Sequence, residues 1–410
     1  MKKTILLLCA VFALLLSACG TTTEPAEPGA AASAAPGGTA AAYADVVTPK
    51  TFELRVPPED RNQAYNMDFV ETQEAYYFIG QKVTEDSFVN LIYFCPRGGN
   101  SFQPLCGKPN CKHEDENCNA FCGLELGYFD GALYTTNPDM GTIEIIKMNL
   151  DGTDHQPVTT VYPGLGTQRF RYNCRIHHGK VLIWSDIAKD RLSTEREHHM
   201  IVVDLSDYSQ SEPAADYYNT AEYVPHVMYH FYKDKAYGTV YRPKETTALL
   251  ELDTATGDVQ FREIGDATGV YVTDSVLYFF LPDASKLPPI PGADNGELVP
   301  GFWELDLQSG EIRDCGLPVD DILNALYDED FIYATSFYSS DGKDSTLYFL
   351  TRDYQLADKI ELTDGLGIAA VTSDRIFFYG STANQQITHY IEKSQIGSHK
   401  LTLIPIETVG

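Results

Sequence analysis

One short unit returns seven times along this chain, and it limits the fold more than any other feature. A turn residue, one or two spacers and an apolar, aromatic strand appear as EAYYFIG at 74, DGALYTT at 130, GKVLIWS at 179 and DKAYGTV at 234. They return as DSVLYFF at 274, EDFIYAT at 329 and DRIFFYG at 374. The anchors Tyr77, Tyr134, Ile183, Gly238, Tyr278, Tyr333 and Phe378 are separated by 57, 49, 55, 40, 55 and 45 residues. Inside each interval a second unit follows, a strand, a polar turn and another strand, as in ALLELDTATGDVQFREI and GFWELDLQSGEIRDCGL. Gly257-Asp258 and Ser309-Gly310 are tight-turn signals. Each repeat therefore offers about four strands and no convincing amphipathic helix. A four-stranded sheet cannot bury both faces alone, whereas sheets stacked in a ring cover one another and leave only short edges. The expectation is an all-β, seven-bladed β-propeller over residues 49–410. The uneven spacing also leaves six or eight blades open. A pair of β-sandwiches competes, but it would not repeat one strand unit seven times. TFELRV at 51–56 reads as a further strand that completes the last blade and closes the ring.

The N-terminus carries an address. Lys2 and Lys3 precede an apolar run from Ile5 to Leu16, too short for a bilayer span of about twenty residues but suited to a signal-peptide core. Leu16-Ser17-Ala18-Cys19-Gly20 resembles the bacterial lipobox, which implies cleavage after residue 18 and a diacylglyceryl thioether on Cys19. Acyl chains hold such a protein to the membrane at about 0.8 kcal/mol per buried methylene. The expected location is the cell membrane, with the folded part facing outside the cytoplasm. Residues 19–48 are Ala, Gly, Pro, Thr and Ser with few large apolar side chains, the composition of a flexible tether.

TIEIIKMNLDGTDHQPV at 142–158 resembles the repeat of YWTD-like and TolB-like propellers. Together with a C-x-K-P-x-C-K-H stretch at 106–113, the pattern is similar to that of uncharacterised bacterial propeller lipoproteins. The resemblance implies the fold and an envelope location and brings no activity with it. The YWTD tetrad itself is missing, so receptor-like ligand binding does not follow.

CGKPNCKHEDENC, residues 106–118, interrupts the β pattern between the first and second repeats, and Cys122 follows shortly after. Cys106, Cys111, His113 and Cys118 make a Cys3His set, the kind that structural zinc uses, although the spacing is not that of a standard finger. Gly107 and Pro109 would turn the loop between ligands, and Cys122 could replace Cys118. Outside the cytoplasm disulfides also form, and four cysteines allow three pairings. In that case His113 is an exposed loop residue whose proton affinity Glu114, Asp115 and Glu116 raise. Free thiols are the third reading. A metal held by four protein ligands would be structural, because no position remains for a substrate. A link between blades crosses one face of the disc, so the cluster is expected beside the central channel. Cys95, Cys174 and Cys315 read as core residues.

The formal charge is −28, and loss of Lys2 and Lys3 takes it to about −30. Such a chain repels phosphate backbones, so nucleic acid is an improbable partner and cations, basic peptides or glycans are better ones. Ser185-Asp-Ile-Ala-Lys189 matches S-x-x-K, but it follows a strand and has no S-D-N or K-T-G partner. The pairs His177-His178 and His198-His199 point to opposite faces of a strand and chelate nothing by themselves. LDGTD at 150 and SSDGKD at 339 are turns rather than calcium loops, since neither fits D-x-D-x-D-G. The Pro-rich stretch 281–301 is a long loop. The reading is a monomeric, lipid-anchored binding module for a protein, peptide or glycan, with no catalytic residue assigned. The rivals are an envelope glycan- or peptide-processing enzyme using channel carboxylates, and a structural scaffold. A carboxylate pair of raised pKa would favour the enzyme. A flat apolar patch would favour the scaffold.

Overall fold

The computed structural model describes residues 54–60, 69–84, 88–139, 142–161, 170–188, 196–220, 228, 230–240, 247–286, 298–338, 344–380 and 386–409. The leader, Cys19, the tether and residues 51–53 lie outside the described residues. Seven antiparallel sheets form a ring. Blade 1 holds β1 (Phe69–Glu71), β2 (Ala75–Val83), β3 (Phe88–Pro96) and β4 (Ser101–Pro104). Blade 2 holds β5 (Leu126–Phe129), β6 (Ala132–Asp139), β7 (Thr142–Met148) and β8 (Gln156–Val161). Blade 3 holds β9 (Phe170–His177), β10 (Lys180–Ala188), β11 (Arg196–Asp204) and β12 (Gln210–Ser211). A short helix, α1 (Ala215–Thr220), leads to blade 4, with β13 (His230–Tyr232), β14 (Lys235–Val240), β15 (Ala248–Asp253) and β16 (Val259–Arg262). Blade 5 follows with β17 (Gly269–Val272), β18 (Val276–Leu281), β19 (Gly301–Asp306) and β20 (Ile312–Gly316). Blade 6 has β21 (Ile322–Tyr327), β22 (Phe331–Ser336), β23 (Ser345–Thr351) and β24 (Leu356–Leu362). Blade 7 has β25 (Gly367–Val371), β26 (Arg375–Tyr379), β27 (Ile387–Glu392) and β28 (Ile404–Pro405).

The repeated aromatic unit is the second strand of every blade, paired on both sides and largely buried. The first strands of successive blades approach one another, β1 beside β5, β5 beside β9, and β17 beside β21, and so line the axis. Turns within the first and second hairpins share one side of the disc, called here the turn face. Connections between second and third strands, and between blades, share the other, the loop face. Turn chemistry repeats as well. Thr72, Thr273 and Thr372 each accept from the amide three residues on, 3.0–3.1 Å, and donate to its carbonyl at 2.9–3.1 Å, closing the first hairpin. In the second hairpins Asp204, Asp253 and Asp306 accept amides two residues on at 2.8–3.0 Å.

The ring closes differently from the sequence expectation. Described residues 54–56 form no strand. Instead β29 (Glu407–Thr408) runs parallel to β4, with Glu407 opposite Ser101 and Thr408 opposite Phe102. The last residues thus form the outer strand of blade 7 and then cross to the outer edge of blade 1. Beneath this stitch Phe69, Tyr76, Phe102 and Phe377 pack ring on ring, 5.0–5.7 Å between centroids for their contacts with Phe377. A polar cluster caps them. Arg97 donates to Glu71 at 2.9 Å, Asp374 at 2.8 Å and the Tyr76 hydroxyl at 2.9 Å. Glu71, whose side chain is fully buried, also accepts the Ser373 amide at 3.0 Å. Similar pairs weld other junctions on the turn face: Lys393 to Asp328 and Asp330 between blades 7 and 6, Lys180 to Asp234 between 3 and 4, and Lys233 to Asp274 between 4 and 5.

Two buried histidines make the ring acid-sensitive. Burial, as the main cause, pushes His177 down to about 4 and His230 to about 3. His178 and Lys180 also disfavour a charge on His177, while Asp60 and Asp234 partly oppose them. A base with a depressed folded pKa binds fewer protons than in the unfolded chain. Its contribution is therefore complete above about pH 6.5 and is lost as pH falls toward 4, at roughly 1.4 kcal/mol per pH unit per group. Thermal unfolding followed from pH 7 to 4.5 is expected to show falling stability. His177→Phe, which keeps the ring packed 5.4 Å from Phe231, is expected to flatten the slope by one proton's worth; an unchanged slope contradicts this.

Candidate functional site

The Cys/His insertion grows out of the outermost own strand of blade 1. Leu105 donates its amide to Ile92 O at 2.8 Å, and on return Ala120 O accepts the amide of the same Ile92 at 2.7 Å. Phe121 bridges Leu91, and Cys122 N donates to Asn90 O at 3.2 Å. Residues 106–119 are thus a loop thrown out from an edge strand that resumes where it stopped. The cluster therefore sits on the rim of the disc, four strands from the axis, and not beside the channel as the blade-link reasoning placed it. The spot is tightly held. A Cβ on Gly123 would stand 1.3 Å from Thr136 O of β6, so only glycine lets the returning chain cross blade 2. The Asp151 turn packs on the other side, where a Cβ on Gly152 would come within 2.4 Å of Leu105 O. Asp151 itself accepts from Thr153 N at 2.9 Å and Oγ1 at 2.6 Å, which makes LDGTD a self-satisfied turn.

The loop brings together the four predicted residues. The ligand atoms of Cys106, Cys111, His113 and Cys118 all lie within 4.8 Å of one another. Tetrahedral zinc with bonds of about 2.0–2.3 Å needs ligand separations of roughly 3.5–3.8 Å, so closure asks for small side-chain shifts. His113 Nδ1 is 3.2 Å from Cys118 Sγ, and the Ala120 amide donates to that sulfur at 3.3 Å. The sharp turns come from Asn110 (φ 58°) and His113 (φ 55°) in the left-handed region, not from Gly107 or Pro109. Lys82 Nζ donates to Lys112 O at 2.7 Å and Lys108 to Asn117 O, tying the loop down. Cys122 is buried outside the set, so Cys118 is the fourth member. None of the seven described cysteines is in a disulfide.

The electrostatics differ from the sequence reading. His113 is lowered, by burial first and Lys82 second, and the acidic neighbours do not raise it. Burial, the largest cause, pushes Cys118 up to about 12. Burial also works to raise Cys106, but the amides of Lys108 and Asn119 and the thiols of Cys118 and Cys111 outweigh it and the net direction is down. Three crowded sulfurs cannot all ionise without a cation among them. The donor set fits zinc.

Other predicted positions resolve into ordinary structure. Ser185 lies in a strand, not at a helix start, and Lys189 is outside the described residues, as is most of SSDGKD. His198 and His199 are successive residues of β11. Cys95 and Cys174 are buried, while Cys315 is only half-buried on the outer strand β20. The clearly moved carboxyls, Asp234 and Asp328 among them, move down rather than up.

The two faces of the disc are unlike. Nine large apolar residues among those described stand well exposed. Val83, Phe88, Leu124, Val299, Leu317 and Tyr338 are on the loop face, Phe261 and Ile312 are on outer strands, and Val409 directly follows β29. None is in a hairpin turn of the turn face. There the segment 54–60 forms a strap across the axis. Arg55 pairs with Asp330 of blade 6, Asp60 pairs with His178 of blade 3, and Glu59 O accepts the His178 amide at 2.7 Å. Sequence reasoning missed the strap, since no spacing relates 55 to 330.

No protein-family model and no curated protein matches the chain. Its fold is similar to that of prolyl endopeptidases studied for inter-domain dynamics in catalysis and specificity, at 10% identity and TM-score 0.52. That match covers 84% of this chain and 50% of the other, so this chain spans half the length of that protein. The β-propeller domain of the Trilobed protease from Pyrococcus furiosus is similar at 11% identity and TM-score 0.45, covering 82% and 97% of the two chains. BamB from Moraxella catarrhalis is similar at 12% identity and TM-score 0.32, covering 61% and 79%. At these identities the likeness speaks to the fold alone.

Proposed function

We propose that this seven-bladed β-propeller is a lipid-anchored, extracytoplasmic binding module that docks its ligand on the loop face. The observation that carries the reading is the asymmetry of the disc, with exposed apolar side chains on the loop face and a polar, strapped turn face. Of these, Val299, Leu317 and Tyr338 stand exposed in or next to the lining of one cleft between blades 5 and 6, and a grouped apolar patch of this kind marks an interaction surface. The strap supports the orientation. Its first residue, 54, lies six residues beyond the end of the tether at 48, so a lipid anchor at Cys19 would join the disc from its turn-face side. Among the described residues no helix is long and apolar enough to cross a membrane. A peptide and glycan array probed with the mature protein tests docking. The triple variant Val299→Ser, Leu317→Ser, Tyr338→Ser is expected to lose most of the captured signal. A blank array, or signal indifferent to the triple variant, contradicts the reading.

The rim cluster is a structural zinc site in this account. Cys106, Cys111, Cys118 and His113 would hold the ion, and a closed four-ligand shell would pin the loop rather than react. Native mass spectrometry of mature protein purified without reductant is expected to show one zinc per chain. Chelation is expected to remove it and open residues 106–119 to proteolysis while the ring stays folded. A metal-free protein four hydrogens lighter than the reduced mass would instead show two disulfides and overturn the site.

A further inference from the structure

On the loop face a cleft of about 390 Å³ opens between blades 5 and 6. Its floor is apolar: Phe280 and Ile322 are 1% and 3% exposed. Its walls are Phe337, Pro300 and the exposed Leu317, with Val299 and Tyr338 next in sequence to lining residues. Around them stand three carboxylates, Asp283, Asp320 and Asp321, and one amine, Lys286.

The chemistry of this lining is one-sided. Lys286 is already engaged: it pairs with Asp321, lies 5.8 Å from the Phe337 ring centroid, and is raised by Asp321 first, then Asp283 and Asp320. Asp283 accepts from Ser285 N at 3.0 Å and Oγ at 2.6 Å, so the lining offers apolar surface and acceptors, Asp320 foremost, and almost no unused side-chain donor. Such a cleft rejects carboxylates and phosphates and selects a ligand that brings N–H donors and positive charge beside an aliphatic group. Lys286 shows how a cation fits, over an aromatic ring between carboxylates. The volume suits one or two side chains. The carboxylate oxygens do not converge as a metal site, since the Cys/His set is the one such group among the described residues.

We propose that this cleft docks an extended cationic peptide segment, an Arg or Lys side chain lying at Asp320 beside the Lys286–Asp321 pair, and a neighbouring aliphatic side chain against Leu317. The charge complementarity of the cleft and of the whole chain, −28 formally, commits it to this occupant. The inference rests on the binding-module reading and names its partner class.

The test uses the mature protein and a fluorescent acetyl-(Leu-Arg)3 amide, read by anisotropy. The same peptide with citrulline, neutral and nearly the same shape, is expected to bind at least tenfold more weakly, and the glutamate version not at all. Asp320→Asn with Asp321→Asn is expected to weaken the arginine peptide at least tenfold. Asp207→Asn with Asp258→Asn removes the same charge from the turn face and is expected to leave affinity within twofold. The proposal is overturned if the two double variants weaken binding equally, or if wild-type protein shows none at 1 mM peptide. Those failures are separable from failure of the module. A ligand of other chemistry captured on the array would sink the cleft alone, and a blank array together with no peptide binding would sink both.

Discussion

Arg97→Ala is expected to destabilise the ring by about 3–5 kcal/mol, the cost of leaving a buried carboxylate without its cation. Arg97 holds Glu71 and Asp374 together across the seam between the first and last blades, and the Glu71 side chain is fully buried. It also covers the Tyr76 ring at 4.6 Å. Domains have only about 5–15 kcal/mol in total, so the variant is expected to unfold at much lower denaturant than the wild type. Arg97→Lys restores one charge but not the fork that reaches Glu71, Asp374 and the Thr72 carbonyl at once, and is expected to recover only part of the loss. A wild-type midpoint for Arg97→Ala would show that the seam contributes little.

Lys393→Met is expected to cost a similar amount, about 3–5 kcal/mol, through the neighbouring junction. The Lys393 and Asp328 side chains are 5% and 6% exposed and meet at 2.7 Å. Burial works to raise Asp328, but Lys393, Tyr333 and the Phe331 amide outweigh it and hold the carboxyl low. Losing Lys393 leaves that charge with a hydroxyl and two amides, so Asp328 must take up a proton or stay charged and unpaired. The sign follows: a lowered carboxyl contributes stability above its unfolded pKa of about 4 and loses it as pH falls. The deficit of Lys393→Met relative to wild type should therefore shrink at acid pH. The double variant Lys393→Met, Asp328→Asn should recover stability, and failure to do so would contradict the pairing account.

These two residues show what the sequence carries and what it hides. Blade count and strand order were legible because the second strand of each blade must be buried on both faces, which forces an aromatic, apolar run after a turn residue. The grouping of Cys106, Cys111, His113 and Cys118 was legible because thirteen residues cannot spread far. The placement of that group was not. It depends on residues 120–122 rejoining β3 opposite 90–92, a register with no periodic trace. Arg97 with Asp374, Lys393 with Asp328, and Arg55 with Asp330 are far apart in the chain, and no spacing rule connects them. The closing strand Glu407–Thr408 is two residues long and carries no pattern of its own. The expected N-terminal strand had the better pattern, yet residues 54–60 became a strap because their partners are turn residues, not a free strand edge.

The most direct test of the account is native-state hydrogen exchange at the seam. The Ser373 amide bonds to Glu71 and the Val409 amide to Phe102 O at 2.8 Å, both across blades 7 and 1. If the polypeptide is one closed ring, these amides are expected to exchange only through global opening, with the same free energy as Ile332 in the middle of blade 6. Exchange at Ser373 and Val409 through a much cheaper opening, while Ile332 stays protected, would mean that the ends separate freely and the ring is not closed.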